Sequence, residues 1–292
     1  MISGAMALPF AALLPFARLL QPPPGLEVDF AAPPGAAALV PAGSVSWRVF
    51  ANPLTLFIGG VAAVILELAE PSVRAGVWGH SSFRSDPVMR LRRTGAAAMI
   101  TVYAPRAEAE AMIARINALH ERVRGTLPDG RHYDARDPRL LDWVQATATF
   151  GFSTAYHAYA APLDKRQRSA VFAEGRAAAD LFGATGAPRS LAEWEALLAR
   201  TLAALEPSPV LDAFLSIMRA APILPAPLRP VQRLLVRAGV SIVPPAVTAR
   251  LRLDGAGLRP GEAAVVSALA RLAERVPLPS APPARARRRM LS

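Results

Sequence analysis

Three pairs, Asn52-Pro53, Asp86-Pro87 and Asp137-Pro138, constrain this chain more than any other feature of its sequence. A short polar side chain can accept from the free N–H groups of a first helical turn. A proline just behind it loses no hydrogen bond there, so each pair marks a helix start. Behind each pair apolar residues recur at spacings of three and four. The first predicted helix begins at Pro53 and ends before Pro71; the second runs from Pro87 to Tyr103, ahead of Ala104-Pro105. A third covers Arg106 to Arg124, closed by Gly125, with arginines in its last turn that suit the helix dipole. A fourth starts at Pro138. Ser190 with Glu193 forms a capping box for a helix through Leu205. Prolines cut 207–245 into short helical pieces, and Pro260 to Val276 offers one more helix. No alternating strand pattern of useful length appears, so the fold class is all-α.

Residues 1–43 carry Gln21-Pro-Pro-Pro-Gly25 and Ala32-Pro-Pro-Gly35 and predict an irregular N-terminal arm. Residues 44–276 read as one helical domain, with no repeat period and no linker long enough to split it. Residues 277–292 form a Pro/Arg-rich tail whose densest run, Arg285-Ala-Arg-Arg-Arg289, is solvated or touches an anionic surface.

The net charge of +11 invites a nucleic-acid or membrane-surface partner. Yet Lys165 is the single lysine among 33 basic residues. With the Ala and Pro excess, this reads as GC-rich coding bias rather than a selected basic face. No reader motif is present, and no nucleic acid is expected as a partner. Zero cysteines exclude disulfides, thiolate metal sites, iron–sulfur clusters and thiolate-ligated or C-x-x-C-H-attached haem. Met1 to Ala17 is uncharged, but Pro9 and Pro15 interrupt it and no basic segment precedes it, unlike a signal peptide. The apolar run Pro53 to Leu66 has 14 residues before Glu67, short of the roughly 20 needed to span hydrocarbon. The chain reads as soluble and cytoplasmic, with peripheral membrane contact left open.

Four histidines are available for chemistry: His80, His120, His132 and His157. Ala109, Met112, Ile113, Ile116, His120 and Val123 share one helical stripe, which turns His120 towards the apolar interior. Two readings follow: a core histidine bonded to a backbone carbonyl, or a metal or haem ligand, since a neutral imidazole in a dry pocket is a good donor to iron. Arg90-Leu-Arg-Arg-Thr94 places Arg90 and Thr94 four apart on one face with Arg93 beside them. Such a cluster is either a solvated face or a fork for a carboxylate. His80 lies in a loop before Asp86, His132 in a turn, and His157 between two tyrosines. No H-x-x-x-H, H-E-x-x-H, G-x-G-x-x-G, P-loop lysine or G-x-S-x-G is present.

Read in order, Gly76-Val-Trp-Gly-His-Ser-Ser-Phe-Arg-Ser-Asp-Pro87, Arg90-Leu-Arg-Arg-Thr94, His120-Glu-Arg-Val-Arg-Gly125 and Tyr133-Asp-Ala-Arg-Asp-Pro-Arg-Leu-Leu-Asp-Trp-Val144 resemble the MpaB/rubber oxygenase catalytic-domain family. Phe172-Ala-Glu-Gly-Arg176, Phe182-Gly183 and Pro188-Arg-Ser-Leu191 continue the likeness, over about residues 44–250. The resemblance implies a globin-like helical core holding non-covalent haem b. It puts the proximal iron ligand on His120, the distal arginine and threonine on Arg90 and Thr94, and the pocket lysine on Arg93. This chain departs from the family at Gln145-Ala146, where many members have His-Ala, and at Glu70-Pro71, where many have His-Pro. The implied function is a haem-dependent oxygenase using O₂ on a small apolar, unsaturated substrate. In it Arg93 and Thr94 would polarise bound oxygen while Arg90 anchors a propionate. The alternative is a non-enzymatic binder of haem or of a hydrophobic ligand.

Overall fold

The computed structural model describes residues 22–291, and their regular structure is almost wholly helical. Ahead of the predicted helices lies a short one, α1 (Val45–Val49). The three Asx-Pro starts hold. Asn52 accepts from the N–H groups of Leu54 and Thr55, both at 3.1 Å, at the head of α2 (Pro53–Ala69). Asp86 accepts from Met89 at 3.1 Å and heads α4 (Pro87–Tyr103), behind α3 (Pro71–His80). Asp137 accepts from Arg139 at 2.9 Å and heads α6 (Pro138–Ala155), after α5 (Arg106–His120). A π-turn, Tyr156–Ala160, continues α6 without a break. The rest of the domain is α7 (Lys165–Glu174), α8 (Arg176–Phe182), α9 (Leu191–Thr201), α10 (Pro209–Ala220), α11 (Arg229–Ser241), α12 (Pro245–Arg250) and α13 (Glu262–Arg275).

The centre of the molecule is α2, apolar around most of its circumference and therefore buried on most sides. It packs against α6 through a pair of glycines. A Cβ on Gly59 would lie 2.7 Å from the carbonyl oxygen of Gly151, so the two backbones meet only because neither residue carries one. Two turns further on, the Trp143 indole donates to the Leu66 carbonyl at 3.1 Å. Trp143 stacks on Trp194 with centroids 5.7 Å apart, and Phe150 lies 4.8 Å from the same ring. This aromatic column fixes the part of α2 that carries Glu67.

Four local features differ from the sequence reading, each for a physical reason. Pro71 ends one helix and starts the next, because Glu70 caps α3 by accepting from Val73 at 2.7 Å; α2 and α3 meet at 111°. The third predicted helix stops at His120 rather than Arg124. Beyond it the chain leaves to pair two short antiparallel strands, β1 (Arg124–Thr126) with β2 (His132–Asp134). Gly125 lies in register with Tyr133, whose hydroxyl would sit 2.7 Å from any Cβ placed there. At Ser190 only half of the capping box forms: Ser190 accepts from Glu193 at 3.2 Å, while the Glu193 carboxylate takes Arg189 N–H at 2.9 Å. A complete box closes at Asp164 and Gln167 instead.

The fourth difference is in the tail, which forms a helix, α14 (Pro282–Leu291). Arg289 is fully buried and donates to the carbonyls of Phe30 (2.7 Å), Ala36 (2.9 Å) and Tyr103 (2.8 Å). Arg285 pairs with Asp29 at 2.6 Å. An irregular segment laid against a core leaves carbonyls in need of donors, and here the tail's arginines supply them, so this part of the run is not solvated. Among the described residues no single helix is long and apolar enough to cross a membrane; α2 and α3 pass that test together only as a sharply bent pair. The uncharged segment Met1 to Ala17 lies outside the described residues.

Candidate functional site

Glu67 is the only charged residue of α2 and sits in its last turn, between Leu66 and Leu68. Burial pushes its carboxyl up to about 7, and the nearby Arg90 guanidinium pulls it back only in part. Arg90, in the first turns of α4, is lowered by its own burial and supported by Glu67. His120 closes α5. The apolar stripe that starts at buried Ala109, Met112 and Ile113 reaches the surface there, which leaves the imidazole half-buried. Burial first, and Arg90 second, hold its pKa below the usual imidazole range. Three helices thus converge on one carboxyl, one guanidinium and one imidazole, with Arg90 acting on both of the others. Burial, reinforced by the Arg90 charge, keeps His120 neutral at pH 7, with a ring nitrogen able to donate a lone pair.

The other three histidines are already engaged. His80, the last residue of α3, contacts the Tyr133 hydroxyl through Nε2 at 3.2 Å. His132 is exposed and meets Thr126 Oγ1 through Nδ1 at 3.0 Å. His157, in the π-turn, accepts from Leu163 N–H through Nδ1 at 2.9 Å. Burial, with Arg168 beside it, lowers its pKa. No described residue makes a hydrogen bond to the ring of His120. The core-histidine reading names a backbone carbonyl as the ring's partner, and no described carbonyl takes that place; the half-buried ring keeps one side towards solvent.

Arg93 and Thr94 share the α4 face of Arg90 but lie one step further out, and both are exposed. The Thr94 hydroxyl donates to the Arg90 carbonyl at 3.0 Å, and Arg93 is felt by Arg90 as a like charge. The sequence reading passed over Glu67, whose sign was a lone carboxylate in an otherwise apolar 17-residue helix. Gln145, at the position where the resemblance departs, lines a cleft of only about 10 Å³ between α6, α7 and α8, with Phe172 and Arg176. That is below the ~300–1,000 Å³ of ordinary ligand pockets. Among the described residues no group of three or more His, Cys, Asp or Glu could hold a bare metal ion.

Residues 47–275 match the family model described as "ER-bound oxygenase mpaB/B'/Rubber oxygenase, catalytic domain". No curated protein and no solved structure matches the chain.

Proposed function

The chain belongs to the MpaB/rubber oxygenase catalytic-domain family, a family of oxygenases, and from that premise we propose a haem b-dependent oxygenase that uses O₂ on a small apolar, unsaturated substrate. The observation that carries this reading is the His120 ring: half-buried, neutral beside Arg90, and without a hydrogen bond from any described residue. The donor set fits the group. His120 would hold the iron, and the guanidinium groups of Arg90 and Arg93 suit its carboxylates. Haem b, when bound, supplies the open iron position at which O₂ is activated.

The chain's own residues then have separable tasks. Arg90 anchors an anionic group and adds to the burial that keeps His120 neutral. Glu67, with a pKa of about 7, holds a proton on its carboxyl oxygen below neutrality and releases it above, which suits it to proton transfer at working pH. Thr94 can turn its hydroxyl from the Arg90 carbonyl towards a ligand at no loss to the helix ladder. Half-buried Val64, one turn before Glu67, and Leu91, beside Arg90, provide apolar surface on the same two helices.

The exposure of Arg93 and Thr94 favours a second reading, a non-enzymatic haem or hydrophobic-ligand binder. Oxygen uptake by haem-loaded protein with a polyunsaturated hydrocarbon separates the two. The oxygenase reading requires uptake matched by carbonyl product and lowered in Glu67→Gln. Ligand binding with no uptake would leave only the binder.

A further inference from the structure

The outward face of α13 combines exposed aliphatic side chains with arginines that have no acidic partner among the described residues. Val265 and Leu272 are 51% and 38% exposed, two of five large apolar side chains so exposed among the described residues. They are seven residues apart and share a stripe with Ala268 and Arg275, while Ala264 and Arg271 flank it. The opposite face, Val266, Ala270 and Ala273, is buried. Both carboxylates of the helix are occupied on the protein side. Glu262 takes a fork from Arg237, at 3.0 and 2.5 Å, and Glu274 accepts from Asn52 at 2.7 Å and from Tyr156 at 3.3 Å. Arg271 and Arg275 have no ion pair with any described residue. Arg233 and Arg229, on the same stripe of α11 as Arg237, are exposed and equally unpaired.

We propose that this face, the Val265–Leu272 stripe with its flanking arginines, is a seat for an anionic lipid surface. The arginine stems can lie along the apolar stripe while their guanidinium groups reach phosphate and carboxylate headgroups, and the two aliphatic side chains enter the headgroup boundary. The unpaired charge here is all positive, so it complements a negative leaflet. A nucleic acid would satisfy the arginines, but its backbone offers nothing to Val265 and Leu272. The seat does not depend on the haem reading. It would hold the protein at the phase in which apolar molecules dissolve.

The test is co-sedimentation of the full chain with vesicles of phosphatidylcholine alone, and with phosphatidylserine in equal parts. Binding should appear only with the anionic lipid and weaken with salt. Replacing Arg271→Gln and Arg275→Gln together should lower partitioning roughly 25-fold, at about fivefold per arginine. Val265→Ser with Leu272→Ser should lower it at unchanged charge. A Leu272→Trp chain should shift its fluorescence to the blue on anionic vesicles. The proposal is overturned if the protein ignores anionic vesicles, or if neither pair of substitutions changes the partitioning. It is also overturned if a DNA duplex is held by the arginines as tightly as the vesicles are, with no dependence on Val265 and Leu272.

Discussion

Replacing Glu67→Gln tests the electrostatics of the site without altering its shape. The folded carboxyl titrates at about 7 against an ordinary value of 4.5. Between those values the folded protein binds more protons than the unfolded chain, so stability must fall as pH rises through the window. At ~1.36 kcal/mol per pKa unit, about 2.5 kcal/mol is lost between pH 5 and pH 8. Glutamine has no charge to desolvate and loses none of it. The missing attraction to Arg90 works the other way, but it is the smaller of the two causes. Scanning calorimetry of both proteins at pH 5 and 8 should show the native Tm falling by about 5–10 °C more than that of Glu67→Gln. Parallel pH profiles would mean that Glu67 is well solvated, and the reasoning about the site would fail with it.

Three other perturbations follow from the structure. Gly151→Ala drives a methyl group into the Gly59 carbonyl at the α2–α6 crossing and should destabilise by about 3 kcal/mol; an unchanged urea midpoint would contradict the packing described. Arg289→Met removes the donors to the carbonyls of Phe30, Ala36 and Tyr103. It should cost about 3 kcal/mol and speed proteolysis within residues 22–43, whereas native-like protease resistance would show that the tail is not a clasp. For His120, a pKa below 6.5 keeps the imidazole neutral through mild acid. Haem affinity should therefore stay level as pH drops from 8 past 6.5 and fall only below it; a decline centred above 6.5 would contradict the lowered value.

The helix starts were readable because capping is local. Asn52, Asp86 and Asp137 each act within three residues of themselves, and the structure has all three in place. The end of α5 was not readable: nothing within its own turn stops the helix at His120. The chain leaves there because Arg124–Thr126 pairs with His132–Asp134. Arg289 shows the same limit. A run of arginines in a Pro-rich tail looks solvated, and only the distant carbonyls of the arm make one of them a buried donor. At the site, the stripe that carried His120 was visible, and the motif Arg90-Leu-Arg-Arg-Thr94 was visible as a cluster. Which of its arginines turns inward depends on α2 placing Glu67 within electrostatic reach of Arg90, an interaction across 23 positions of sequence that periodicity does not encode.

The central claim is that His120 is the ligand through which this chain holds haem iron, and absorption spectroscopy during haem titration tests it most directly. The account predicts a sharp Soret band that saturates at one haem per chain. In His120→Ala the band should broaden and lose saturation, while the circular dichroism of the helices stays unchanged. A folded His120→Ala protein with full haem content and an unchanged Soret band would contradict the assignment, and a native chain that takes up no haem would contradict the oxygenase reading as a whole.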